Sequence, residues 1–76
     1  MPITYNDSVA SEVRAEMARQ RVSQTVLAVR LGWSQAFLSR RLCGITDWRV
    51  DEIEAVAAAL GVPLAQLAAV PTEAAS

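Results

Sequence analysis

The 76-residue chain is 53% hydrophobic and 20% charged, with a formal net charge of -1, which fits one small folded domain and excludes a second domain or extensive disorder. It contains no histidine and one cysteine, which excludes imidazole catalysis, a histidine metal site, a disulfide framework and a thiolate metal cluster. We therefore expect no catalytic residue, no metal and no cofactor.

The apolar pattern is helical throughout, because no sustained alternation of apolar and polar residues marks a strand. The first helix is predicted to run from residue 7 or 8 to residue 21. Val9, Val13 and Met17 recur every four residues along it and form its buried stripe.

The region after the first helix contains a short internal repeat. Segment 22–27 is echoed eleven residues later by segment 33–38, and both start with an apolar residue followed by Ser-Gln. In each copy the serine, Ser23 or Ser34, is a natural N-cap that accepts from backbone N–H groups of the first turn. The residue before each cap and the residue five positions later are apolar, the spacing of a hydrophobic staple. A helix is therefore predicted to begin directly after each serine.

A tight turn joins these two helices. Helix 2, from Gln24, is predicted to end near Leu31, because Gly32 can adopt the left-handed conformation that terminates a helix. Helix 3 is predicted to run from about Gln35 to Cys43. Two short helices joined in this way form a helix-turn-helix unit.

A third staple, Trp48 and Ile53, predicts the start of helix 4. The cap position between them holds Arg49, whose guanidinium cannot accept a hydrogen bond. Either Asp47 caps the helix one turn earlier, or a good cap has been replaced by a positive charge.

Helix 4 is predicted to end at Gly61, and Pro63 fits the first position of a short fifth helix. The fold class is therefore all-α, a compact bundle of about five short helices with a helix-turn-helix at helices 2 and 3. We expect one domain over residues 1–70 and a short disordered tail over 71–76. The residues of helix 4 predicted to face inward are Val50, Ile53, Val56, Ala57 and Leu60.

Charge is unevenly distributed. All seven arginines lie within residues 14–49, which carry only two acids and so have a net charge of +5, while the flanks carry -2 and -4. A basic centre between acidic ends suits contact with phosphate, and the alternative is a set of solvated helix faces. No secretory signal precedes residue 8, and apolar segment 55–70 is shorter than the ~20 residues of a membrane span. A soluble, cytoplasmic protein without a membrane partner is expected.

One set of residues marks the starts, ends and close packing of the predicted helices 2 to 5: Ser23, Gln24, Leu27, Ala28, Gly32, Ser34, Gln35, Leu38, Ser39, Gly44, Leu60, Gly61 and Val62. At this spacing the chain resembles the lambda-repressor-like, Cro-type helix-turn-helix family of phage and bacterial regulators, over residues 9–67. Arg41 and Leu42 depart from the pattern, since many relatives have an apolar residue and then a glutamate there.

The resemblance implies that helix 3 enters the DNA major groove. Helical geometry places Leu38 and Leu42 on the core side and leaves the opposite half for reading bases. The fork of Arg40 can meet guanine O6 and N7, and Gln35 can pair with adenine; the alternatives are a solvated arginine and a good first-turn residue. The positions that match base-contacting residues of the family are Gln35, Ala36, Ser39 and Arg40.

Further residues are predicted to contact phosphate: Gln24, Ser34, Arg41, Thr46 and Arg49. Gln24, Ser34 and the loop around Thr46 match family positions, whereas Arg41 is assigned on charge alone. Arg49 is either a phosphate contact or an incidental surface charge. Phe37 either packs half-buried or contacts DNA or another protein.

These observations predict a sequence-specific double-stranded DNA-binding protein, a transcriptional repressor or regulator of phage or mobile-element type. The alternative is a protein-interaction module, antitoxin-like or an adaptor, that keeps the fold without specific DNA binding. An enzyme is excluded, since the acids have no paired nucleophile. A homodimer through helix 5, using Leu64, Leu67 and Val70, and a monomer both stay open, because these leucines can also be used in the core.

Overall fold

The computed structural model describes residues 5–68, with side chains from residue 7 onward. This part of the chain contains helices and no strand, which confirms the all-α prediction. None of its helices is long and apolar enough to cross a membrane. The helices are α1 (Tyr5–Gln20), α2 (Gln24–Leu31), α3 (Gln35–Leu42), α4 (Val50–Leu60) and α5 (Leu64–Leu67).

The observed boundaries follow the predicted ones closely. The helix α2 matches its prediction at both ends, α1 begins earlier, and α3 ends one residue before Cys43, which becomes its C-cap. Pro63 lies at the N-cap of α5 and not at its first helical position. The predicted tail at 71–76 lies outside the described residues.

The core lies where α1 packs across α3, α4 and α5, while α2 packs on α3 and α4. The predicted stripe of α1, Val9, Val13 and Met17, is buried. The remaining members of the core are Leu27, Ala28, Leu38, Leu42, Trp48, Ile53, Val56, Ala57, Leu60 and Leu67.

The prediction that Val50 faces inward is wrong, because its side chain is 66% exposed. At about 100° per residue, the buried arc of α4 extends from Glu52 through Ile53 to Ala57, and Val50 falls just beyond its edge. The charged Glu52 lies on the buried side of α4, together with a partner on α3.

Both serine caps form as predicted. The Ser23 hydroxyl accepts from the Val26 N–H (3.2 Å) and the Ser34 hydroxyl accepts from the Phe37 N–H (3.1 Å). The apolar residues preceding the two caps, Val22 and Trp33, are partly buried against the core. These local interactions fix the starts of the two helices of the helix-turn-helix unit.

Four helix ends share one pattern of backbone hydrogen bonds, the Schellman motif, which needs a residue with positive φ just after the helix. Glycine occupies that place after α2, α3 and α4. After α1 it is Arg21, at φ 56°, with the Arg21 N–H donating to the Ala18 carbonyl (3.2 Å) and the Val22 N–H to the Met17 carbonyl (2.9 Å). A side chain disfavours this left-handed conformation by about 1–2 kcal/mol.

The N-cap of α4 is Arg49, so the alternative of Asp47 is not adopted. The Glu52 carboxylate accepts from the Arg49 backbone N–H at 2.9 Å, which is one half of a capping box. The other half is missing, because a guanidinium has no acceptor. The Asp51 carboxylate instead accepts from the Glu52 N–H at 3.0 Å.

We predict that Arg49→Thr raises the free energy of unfolding by up to about 1 kcal/mol, because threonine supplies the missing cap acceptor. Urea denaturation followed by circular dichroism measures the change. Ser23→Ala is the matched control and should lose a similar amount, since it removes a cap that is present. A loss of stability in Arg49→Thr would contradict the prediction and would mean that the exposed Arg49–Asp51 ion pair outweighs a cap.

Candidate nucleic-acid interface

The helix-turn-helix unit is built on α2 and α3, joined through Gly32, Trp33 and Ser34. Leu27 and Leu38 are fully buried between the helices and the rest of the core. The small side chain of Ala28, also buried, allows the two helices to pack closely. This packing leaves the opposite side of α3 facing solvent.

The four residues predicted to contact bases lie on that outer side of α3. Gln35, Ala36 and Arg40 are exposed, and Ser39 is half-buried. Within residues 7–68 the Arg40 guanidinium has neither an ion pair nor a hydrogen bond. It is therefore available to an external ligand, and the assignment of the four residues to base contacts stays a prediction.

Four of the residues predicted to contact phosphate reach solvent. Gln24, Ser34 and Arg49 are exposed and Thr46 is half-buried. The Ser34 hydroxyl accepts the cap hydrogen bond and can still donate its own proton. The Thr46 N–H donates to the Arg40 carbonyl at 3.2 Å, which ties the loop after α3 to the end of that helix. Contact with phosphate by these residues also stays a prediction.

Arg41, predicted to contact phosphate, occupies a position that does not suit that role. It is only 8% exposed. Its Nε and Nη2 atoms donate to the two carboxylate oxygens of Glu52, both at 2.9 Å, and Nη1 donates to the Phe37 carbonyl at 3.2 Å. All of its nitrogens thus bind groups of the protein itself, and we do not include Arg41 among the proposed DNA contacts.

The Phe37 ring lies over the Arg41 side of this ion pair. Phe37 is half-buried, in agreement with the first of the two alternatives predicted for it. The Arg41 guanidinium carbon lies 3.6 Å from the centroid of the Phe37 ring, in cation–π geometry. The Trp33 ring meets Phe37 edge to face, with centroids 4.9 Å apart and planes at 65°. Trp33, in the turn before α3, thus packs on Phe37, and the Phe37 ring in turn packs on the Arg41 guanidinium.

Glu52 joins α3 to the start of α4. Its Oε1 atom accepts from both the Arg41 Nε and the Arg49 backbone N–H. Burial opposes ionisation of this carboxyl, but the hydrogen bonds from Arg41 and Arg49 outweigh it and hold the pKa of Glu52 below its ordinary value of 4.5. A single carboxylate thus fixes the position of α3 relative to the cap residue of α4.

Fewer arginines are free to bind an anion than the number in the sequence suggests. Arg14 donates to the Leu42 carbonyl and Arg30 to the Ala59 carbonyl. Arg19 pairs with Glu16, and Arg41 with Glu52. The arginines left are Arg21 and Arg40, which have no partner among the described residues, and Arg49, whose ion pair with Asp51 is exposed.

A separate cluster of polar side chains links α5 to the C-terminal end of α1. Glu16 is 6% exposed and accepts from Gln20, Arg19 and Gln66, and the Gln20 hydrogen bond is the largest cause that lowers the pKa of Glu16. The Gln20 side chain also donates to the Leu60 carbonyl at 2.7 Å. The polar contacts of this cluster run to α4 and α5, not to α3.

The residues proposed to form a dimer interface through α5 differ in their exposure to solvent. Leu67 is fully buried in the core, whereas Leu64 is 37% exposed. Val70 lies outside the described residues. The described part of α5 therefore offers one leucine, not a pair, to a partner.

A family model described as a helix-turn-helix domain matches residues 8–70, and the chain belongs to this family. A search of curated proteins and a search of solved structures found no match. Helix-turn-helix domains bind DNA, with the second helix of the unit in the major groove. In this chain that helix is α3.

We predict that Glu52→Gln lowers the free energy of unfolding at pH 7 by about 3 kcal/mol, because the Arg41 charge stays buried without its counter-charge. The loss should show in urea denaturation. Glu54→Gln is the matched control, since Glu54 is exposed on the same helix. Equal effects of the two variants would contradict a buried, paired Glu52.

The same variants test a pH dependence. Because the pKa of Glu52 is lower in the folded state than its ordinary value of 4.5, its ionisation stabilises the fold fully above that pH. This contribution is lost as the pH falls through the folded-state pKa. The wild-type protein should therefore lose more stability than Glu52→Gln between about pH 5 and pH 3, measured by urea denaturation at each pH. Parallel losses would exclude the lowered pKa.

Proposed function

We propose that the protein is a sequence-specific double-stranded DNA-binding regulator of the lambda-repressor-like, Cro-type class. The observation that carries this proposal is the outer face of α3 within a helix-turn-helix domain, which presents Gln35, Ala36, Ser39 and Arg40. The other side of α3 is held by the core and by the Arg41–Glu52 ion pair. Their hydrogen-bonding groups suit the edges of bases in the major groove.

Each side chain has a proposed role in reading the sequence. The Arg40 guanidinium donates to O6 and N7 of a guanine, and the Gln35 amide pairs with N6 and N7 of an adenine. Ser39 donates to or accepts from a neighbouring base, and the Ala36 methyl group packs on a thymine methyl.

Phosphate contacts hold α3 in this orientation. Gln24 and Ser34 stand at the starts of α2 and α3, where the N-terminal N–H groups of a helix favour an anion. Thr46 and Arg49 lie in the loop between α3 and α4. Such contacts fix the register of the protein on the duplex while the base contacts provide sequence preference.

The proposed regulatory mechanism is repression by occlusion, in which the bound domain blocks RNA polymerase, in a phage or mobile element. Support comes from the resemblance in sequence to the Cro-type class and from the five-helix order of the fold. The proposed location is the bacterial cytoplasm or a phage-infected host cell, where such a DNA target resides.

We predict that selection from random duplex DNA with the purified chain enriches a defined motif. Binding of the selected duplex should weaken as salt is added. The logarithm of the binding constant should fall linearly with the logarithm of the salt concentration, with a slope of about 0.9 for each phosphate neutralised. A palindromic motif would indicate a dimer and a single half-site a monomer. Absence of enrichment at low salt would reject the DNA-binding regulator in favour of a protein-interaction module.

We predict that Arg40→Ala weakens binding of the selected duplex by about 1–3 kcal/mol and relaxes the preference at one base pair. Fluorescence anisotropy on the duplex and on its single-base variants measures both effects. Arg30→Ala is the matched control, an exposed arginine that donates to the Ala59 carbonyl at the end of α4. An Arg40→Ala protein with unchanged affinity and unchanged base preference would exclude Arg40 as a base reader.

A further inference from the structure

Arg21 occupies a backbone position that glycine fills elsewhere in this fold. The Schellman motifs after α2, α3 and α4 place Gly32, Gly44 and Gly61 at positive φ, and the motif after α1 places Arg21 there. Only the backbone of Arg21 takes part in the motif, through its N–H group. A glycine would form the same hydrogen bonds without steric strain.

Within residues 7–68, no contact of the Arg21 side chain holds the fold together. It is exposed, and among the described residues it has no ion pair and no hydrogen bond. Its neighbour Arg19, in contrast, donates twice to the buried Glu16 carboxylate. A strained residue whose side chain does not stabilise the fold points to a role outside it.

The location of Arg21 indicates what that role is. It lies two residues before the cap Ser23 and three before Gln24, so its Cα is within about 11 Å of the Gln24 Cα. The start of α2 is one of the places where the proposed function puts a phosphate. Residues 17–46 contain no Asp or Glu, so no acid within this segment competes with a phosphate for the guanidinium.

We propose that Arg21 binds a DNA backbone phosphate next to the start of α2, beside the contact made by Gln24. This proposal rests on the proposed function. A guanidinium presents a planar fork of donors that matches two phosphate oxygens. The phosphate contact accounts for arginine at a position where the backbone alone favours glycine.

The test compares Arg21→Gly and Arg21→Asn with the wild-type chain on the selected duplex. Both replacements tolerate positive φ and remove the charge. Each should weaken binding about tenfold near 0.1 M salt and reduce the salt slope by about 0.9. The selected motif should be unchanged, and the Tm of Arg21→Gly should equal or exceed that of the wild type. The control is Arg19→Ala, which removes the same charge two residues away and should change affinity much less.

The outcomes separate this proposal from the function on which it depends. If the wild-type chain binds no duplex, both the proposed function and the proposed role of Arg21 fail. If the wild type binds and both variants bind equally well with the same slope, only the role of Arg21 is overturned. A loss in Arg21→Gly alone would assign the effect to backbone flexibility, and an equal loss in Arg19→Ala would assign it to general charge; either result overturns the contact.

Discussion

The ion pair between Arg41 and Glu52 determines how α3 is presented to solvent. Two charges taken out of water stabilise a fold only when their geometry is good and their remaining hydrogen-bonding groups are satisfied. Here both carboxylate oxygens accept from the guanidinium, the third guanidinium nitrogen reaches the Phe37 carbonyl, and the Phe37 ring covers the pair. Because the same carboxylate accepts from the Arg49 N–H, α3 and the start of α4 are held in one arrangement.

The Arg41–Glu52 pair is one of several internal contacts that occupy arginines in this chain, whose net charge is -1. Arg14, Arg30 and Arg41 donate to carbonyl or carboxylate groups on other helices and so join the helices, and Arg19 pairs with Glu16 within α1. Few remain for an external anion, and they lie at the end of α1, on α3 and at the start of α4. A binding surface of this kind depends on placement more than on total charge, so we expect weaker nonspecific attraction to DNA than seven free arginines would provide.

The sequence predicted the features that arise from neighbouring residues. The Ser23 and Ser34 caps and the glycines at helix ends act within one turn, so the limits of α2 and the start of α3 could be predicted without tertiary structure. The exposed face of α3 followed from helical geometry in the same way. The role of Arg41 could not be predicted, because its partner is eleven residues away on another helix and charge alone made it resemble a surface residue. Val50 was assigned wrongly because the apolar pattern of α4 gives no sign that the charged Glu52 is buried while Val50 is exposed.

The outer face of α3 is separate from the contacts that hold the fold together. Gln35, Ala36 and Arg40 are exposed, while the neighbouring Leu38, Arg41 and Leu42 are buried and make the core and ion-pair contacts. Substitutions at exposed positions of this kind usually change stability by less than about 0.5 kcal/mol. Under the proposed function, the domain can therefore acquire new target preferences through single substitutions on this face without first gaining stability elsewhere.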